Sequence, residues 1–193
     1  MLARGGLRAE IRAQLDEFED TMGCLPDFVD GHHHVHQLPI VRQELLDELD
    51  ERYAVGLPWL RSTRRPAADA RSRLTWRGAV KRMAIERFGA AGLEELARRR
   101  GYAQNNHLVG VYEFQGEARP YPELLAASLR SACHADLVMS HPSTSICEGD
   151  RIGTARLVEF QVLASTTFGE LLVAEGIGLR TMSAVLAASK LAR

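Results

Sequence analysis

Apolar positions recur at helical spacing from the start of the chain: Leu7, Ile11, Leu15, Phe18 and Met22 form one stripe, and Gly23 supplies a stop. Phe28–Val29 opens a short strand that runs into a histidine cluster. Pro39 stands where a helix would begin, and Val41, Leu45, Leu46, Leu49 and Tyr53 then share one face. A strand is predicted at about Trp59–Ser62, followed by a basic loop containing Pro and Ala from Arg64 to Arg73. Helical periodicity returns over Leu74–Phe88 and Leu93–Arg100, separated by Gly89 and Gly92. His107–Tyr112 predicts a strand, Leu124–Cys133 a helix and Asp136–Ser140 a buried strand. Arg151–Leu163 is amphipathic, with Ile152, Ala155, Leu157, Val158 and Val162. The end predicts a helix over Phe168–Glu175, a brief strand at Ile177–Leu179 and a last helix from about Thr181. Roughly five strands, each separated from the next by helix, indicate an α/β protein with a largely parallel sheet. Alternation alone does not separate an open sheet from a barrel.

With 193 residues, 46% of them hydrophobic, the chain can bury the core of a single domain over residues 1–193. A net charge of −1 and a pI near 6.7 give no reason to expect nucleic acid or an anionic membrane as partner. Arginines are interspersed with Asp and Glu, which reads as a solvated surface; Arg61–Arg65 and Arg98–Arg100 are the denser groups. Cys24, Cys133 and Cys147 are odd in number and widely spaced, as expected for reduced thiols rather than disulfides or a cysteine zinc site. The N-terminal MLARGGLRAEIRAQ has no apolar signal region, and no run approaches the length of a membrane span. The expectation is a soluble cytoplasmic protein.

The most informative segment is Asp30-Gly31-His32-His33-His34-Val35-His36, which holds four of the chain's seven histidines. If the strand continues through it, a period of two places His32, His34 and His36 on one face, with Asp30 beside them. Imidazoles next to a carboxylate suit Zn²⁺ or a similar divalent ion, the carboxylate acting as ligand or as orienter of a ligand. A solvated histidine-rich loop is the alternative. Other reactive residues also fall at the ends of predicted strands: Arg61, Glu113 and His141. In parallel α/β folds, sites form at the carboxyl edge of the sheet, so convergence of these residues in one cleft is expected.

FVDGHHHVHQLPIV resembles the histidine motif of the YdjC-like carbohydrate deacetylases, a family that includes chitooligosaccharide deacetylases and hopanoid-biosynthesis-associated members. Further resemblance follows in the same order in PWLRSTR, NNHLVGVYEF, DLVMSHP, DRIGTARLVEFQVLAS and EGIGLR, covering essentially the whole chain. The resemblance implies a distorted or incomplete (β/α) barrel of the polysaccharide-deacetylase-like type. It also implies a divalent ion, Zn²⁺ or Mg²⁺, that activates water against an N-acetyl carbonyl. By the same resemblance His32 is the foremost metal ligand, with His34 and His36 lining the pocket or supporting the ion. His141, before Pro142, matches the histidine that protonates the leaving amine. Arg61 would contact substrate or orient the site. Asp150, Arg156 and Glu159 would organise the loop and helix after His141. Two positions depart from the pattern: Glu113 stands where many relatives have Asp, and Ser143 where Gly or Ala is usual.

Family members also carry an Asp-Asp pair on an early strand, then another metal-binding histidine, before the histidine motif. The carboxylates ahead of Asp30 are Glu10, Asp16, Glu17, Glu19, Asp20 and Asp27, and none are adjacent in such a pair. The expectation is therefore the C-terminal two-thirds of a family member, holding metal weakly and turning over little by itself. Exposed sheet edges would favour a homodimer or another association. Two other classes remain open: a different barrel metal hydrolase, of amidohydrolase or phosphoesterase type, and a non-catalytic metal- or partner-binding protein.

Overall fold

The first apolar stripe folds as α1 (Arg4–Met22) in a computed structural model that describes residues 4–66, 89–112, 114 and 120–191. Gly23 ends α1 at φ 65°, its N–H donating to Glu19 O at 2.8 Å, a left-handed position that favours glycine. Next come β1 (Phe28–Val29), a six-residue 3-10 turn (His32–Gln37) and α2 (Pro39–Arg52). Pro39 occupies the first turn of α2, where its missing N–H costs no helical hydrogen bond. β2 (Trp59–Leu60), α3 (Ala91–Arg100), β3 (Leu108–Val109), α4 (Tyr121–Ser131) and β4 (Leu137–Val138) follow. The chain closes with α5 (Gly153–Leu163), α6 (Thr166–Ala174) and α7 (Met182–Leu191). The predicted helix at 74–88 and most of the basic loop before it lie outside the described residues.

Contacts divide the chain into two units, residues 1–105 with 186–193, and residues 106–185. In the first, β1 pairs with β2 in parallel, Phe28 opposite Trp59 and Val29 opposite Leu60. Leu60 also bridges in parallel to Gln104 on its other side, so β2 is internal. The Phe28 and Trp59 rings stack at 4.8 Å. Leu15, Leu45, Leu46, Leu49, Tyr53, Leu60, Leu93, Ala97 and Tyr102 form the core. In the second unit, β3 pairs with β4 in parallel, Leu108 opposite Leu137 and Val109 opposite Val138. Tyr121, Leu125 and Leu129 of α4 centre its core, with Val138, Val158, Phe168 and Leu171 packed against them.

The structure is thus a mostly helical α/β arrangement with a few short parallel strand pairs, as the alternating pattern requires. Ile177–Leu179 is not a strand: Ile177 N donates to Leu172 O at 2.8 Å, so the backbone turns back on α6 instead of joining a ladder. No single described helix is long and apolar enough to cross a membrane.

The interspersed arginines prove to be more than a solvated face. Arg8 and Arg12 of α1 both reach Glu48 of α2, at 3.0 and 2.7 Å, and Glu48 is buried. Arg52 of α2 returns to Glu19 and Asp16 of α1 at 2.7 and 2.6 Å, and the Tyr53 hydroxyl also donates to Glu19. Arg100 of α3 pairs with Asp47 and Asp50 of α2 at 2.6 and 2.9 Å. Arg98 and Arg99 do fit the surface reading, pairing along α3 with Glu95.

Hydrogen bonds from Arg12, then Arg8, hold Glu48 below the ordinary glutamate range, and Arg52 with Tyr53 does the same for Glu19. A carboxyl with a depressed folded pKa adds stability above its unfolded value of about 4.3 and loses it as pH falls through the folded one. The melting temperature should therefore fall as pH drops below that value. Glu48→Gln should melt lower at neutral pH but decline less steeply in acid, as thermal scans from neutral to acid pH would show.

Candidate functional site

The histidine segment does not continue β1. After Val29 the chain turns at Asp30 and Gly31 and enters the 3-10 turn, with His33 at φ 52° and His34 at φ 64°. His34 N donates to Gly31 O at 2.8 Å and Leu38 N to Val35 O at 3.0 Å, closing successive tight turns. The alternating face predicted for His32, His34 and His36 is therefore absent, because strand periodicity ends two residues before the first of them.

The cause is His36. Its ring is 2% exposed, and its Nδ1 accepts from Gly31 N at 3.0 Å. With Nδ1 an acceptor, Nε2 carries the proton and donates to Arg61 O at 2.8 Å. Burial lowers the His36 pKa, consistent with this neutral tautomer. One imidazole thus ties the end of β1 to the end of β2. A Cβ on Gly31 would come 2.7 Å from His36 N, so only glycine allows this approach.

Arg61 closes the loop from the β2 side. Its Nη2 lies 2.6 Å from Asp30 Oδ1 and donates to His34 Nδ1 at 2.7 Å. Burial, with the Arg61 charge, pushes the His34 pKa down to about 4, so the ring is a neutral acceptor near pH 7. His32 and His33 are exposed, their rings edge to face at 4.2 Å. A groove lined by Ile11, Phe18, Phe28, Asp30, Val35 and His36 runs between α1 and this loop.

Polar side chains extend the order beyond β2. Asn105 Oδ1 accepts from Ser62 N at 2.7 Å and its Nδ2 donates to Ser62 O at 3.1 Å, imitating another ladder step. Thr63 Oγ1 donates to Gln37 Oε1 at 2.8 Å. Sequence reasoning missed Gln37, Ser62, Thr63 and Asn105. Their places within FVDGHHHVHQLPIV, PWLRSTR and NNHLVGVYEF gave the available hint.

For a divalent ion, the three alternating histidines do not fit as a set. Both ring nitrogens of His36 are committed to backbone groups, and Nδ1 of His34 and one oxygen of Asp30 are engaged by a guanidinium. Among the described residues no group of three His, Cys, Asp or Glu side chains is placed to hold a metal ion.

The second unit carries the other predicted residues. His141 follows β4 and its backbone N–H donates to Glu159 Oε2; the fully buried Glu159 accepts from the Tyr112 hydroxyl through Oε1 at 2.6 Å. Burial, then this carboxylate, raises the Tyr112 pKa, so the phenol stays a donor. Phe114 meets the His141 ring edge on at 5.1 Å. Ser143 N donates to Arg156 O at 3.1 Å, and the Arg156 side chain lies 3.5 Å from Asp150 Oδ2. Asp150 Oδ1 accepts from Ile152 N at 3.0 Å ahead of α5. Glu113 lies outside the described residues. Tyr112, which sequence reasoning did not single out, is the side chain that completes the Glu159 carboxylate.

Comparison with known proteins adds three findings. The YdjC-like protein family model matches residues 2–174. Carbohydrate deacetylases of Mus musculus and Homo sapiens are each 36% identical over 95 residues, 48% of this chain. Those matches span 29% and 28% of the two proteins' own lengths. A solved chain from Enterococcus faecalis V583, described only provisionally as a cellobiose-phosphate cleavage protein, superposes with a TM-score of 0.61 at 17% identity. That superposition covers 96% of this chain and 62% of the other, and it bears on the fold alone.

Two substitutions test the geometry. Gly31→Ala should destabilise the first unit by about 1–3 kcal/mol through overpacking against His36, measured by urea unfolding. Tyr112→Phe should cost about 1.5–3 kcal/mol, because it removes a hydrogen bond to a buried carboxylate, with the loss read from the same unfolding curves.

Proposed function

We propose, for a chain that belongs to the YdjC-like family, that its chemistry is hydrolysis of N-acetyl groups on carbohydrates. The observation that carries this reading is the family match across residues 2–174, joined to carbohydrate deacetylase relatives. In that reaction water adds across the amide, the C–N bond breaks, acetate leaves, and the amine nitrogen takes a proton. His141 is the donor of that proton in this reading, its backbone held by Glu159 and, through Glu159, by Tyr112. Arg156 and Asp150 order the segment beyond it. Arg61 and Asp30 orient the histidine loop, and Glu113 keeps a substrate-side role.

Dependence on a divalent ion, Zn²⁺ or Mg²⁺, belongs to the proposal, but the ligand set is not the trio His32, His34 and His36. His32, exposed, is the member of the trio best placed to contribute to such a site. Turnover by this chain alone is slow in this reading, since its sequence contains no adjacent aspartate pair. A barrel-type frame is the architecture that the family implies, and the short parallel pairs suit it. The three exposed free cysteines suit a reducing cytoplasm. Self-association through the outer edge of β1, where Phe28 is 51% exposed, is the expected mode of any homodimer, and light scattering of Phe28→Ser against the unsubstituted chain checks it.

The decisive assay follows acetate release from N-acetylated oligosaccharides, with phosphate release from generic phosphoesters in parallel, after loading with Zn²⁺ or Mg²⁺. Slow acetate release that falls about a hundredfold in His141→Ala is the expected result. Phosphate without acetate would favour the phosphoesterase class. Neither product from folded protein would favour the non-catalytic class.

A further inference from the structure

We propose that Arg61 is the resident cation of the histidine loop: its guanidinium holds the place between Asp30 and His34 that a divalent ion would need, and so bars metal from those two side chains. The geometry is specific. One nitrogen, Nη2, reaches both acceptors, Asp30 Oδ1 at 2.6 Å and His34 Nδ1 at 2.7 Å. An ion bound to either atom would have to displace that nitrogen or sit against its positive charge, at a separation far shorter than the screening length of salt.

Arg61 has little room to withdraw. Its residue surface is 8% exposed, its carbonyl is held by His36 Nε2, and its own N–H donates to Val29 O at 3.2 Å. The surroundings compound the effect by adding further donors. Arg61 Nε, Gln37 Nε2 and Gln104 Nε2 are buried N–H groups without hydrogen-bond partners among the described residues, carried by residues that flank the end of β2. A cation site requires lone pairs, and these three N–H groups supply none. His36 is removed from competition separately, by its two backbone bonds. The loop is therefore histidine-rich in composition yet already charge-satisfied.

The inference concerns the cation in the proposed deacetylase reading and not acetyl transfer itself. Its test reads zinc binding without substrate, so failure of the acetate assay leaves it standing. The 193-residue chain is titrated with Zn²⁺ alone by calorimetry near neutral pH, beside Arg61→Met, which keeps an unbranched apolar stem while removing the charge and donors. Arg61→Met should bind Zn²⁺ about tenfold or more tightly than the unsubstituted chain, and adding His34→Ala should abolish the gain. Binding by Arg61→Met that is no tighter overturns the proposal. Should Arg61→Met not fold, the unsubstituted chain decides the matter through imidazole NMR signals, assigned with single histidine variants. At one equivalent of Zn²⁺ the His34 and His36 signals should stay in place; a shifted or broadened His34 signal overturns the proposal.

Discussion

The hydrogen bonds of the His36 imidazole set the path of the chain through the candidate site. Nδ1 takes the Gly31 N–H and Nε2 gives its proton to the Arg61 carbonyl, so one buried ring fixes the ends of two parallel strands. From this follow the early end of β1, the left-handed His33 and His34, and the need for glycine at position 31. It also fixes the backbone from which the Arg61 side chain reaches Asp30 and His34. A neutral ring in a dry setting suits this purpose, because it offers one donor and one acceptor and leaves no buried charge to be compensated.

A carboxylate has the corresponding part in the second unit. Glu159 is fully buried on α5 and accepts from the His141 backbone and the Tyr112 hydroxyl. Buried carboxylates are costly unless their oxygens are satisfied, and each oxygen here has a donor. The arrangement restrains the main chain at His141 and leaves the ring's chemistry to its own environment. The two units thus use the same device, a buried polar side chain bonded to backbone at a strand end.

The helices of the first unit are joined by charge as well as by leucine. Glu48 and Glu19 each receive arginine across the α1–α2 contact, and Arg100 reaches back from α3 to α2. A near-neutral sum hides this, because net charge counts residues and not pairs. Paired geometry gives the carboxylates depressed pKa values and makes the packing sensitive to acid.

Much of the fold was legible in the amino-acid order, because helices and parallel strands obey local periods. The stripe from Leu7 to Met22, Pro39 at a helix start and Gly23 at a helix end each fell where the structure has them. The α/β alternation was readable for the same reason, and DGHHHVH was readable through its resemblance to the family's histidine motif. What a local period cannot carry is which distant group satisfies a polar atom. Residues His36 and Arg61, 25 apart, decided that the histidines would curl instead of alternate. Tyr112 and Glu159, 47 apart, decided what holds the residue after β4. Burial makes an unmet hydrogen bond expensive, so these long-range partners, and not the strand period, chose the conformation of the candidate site.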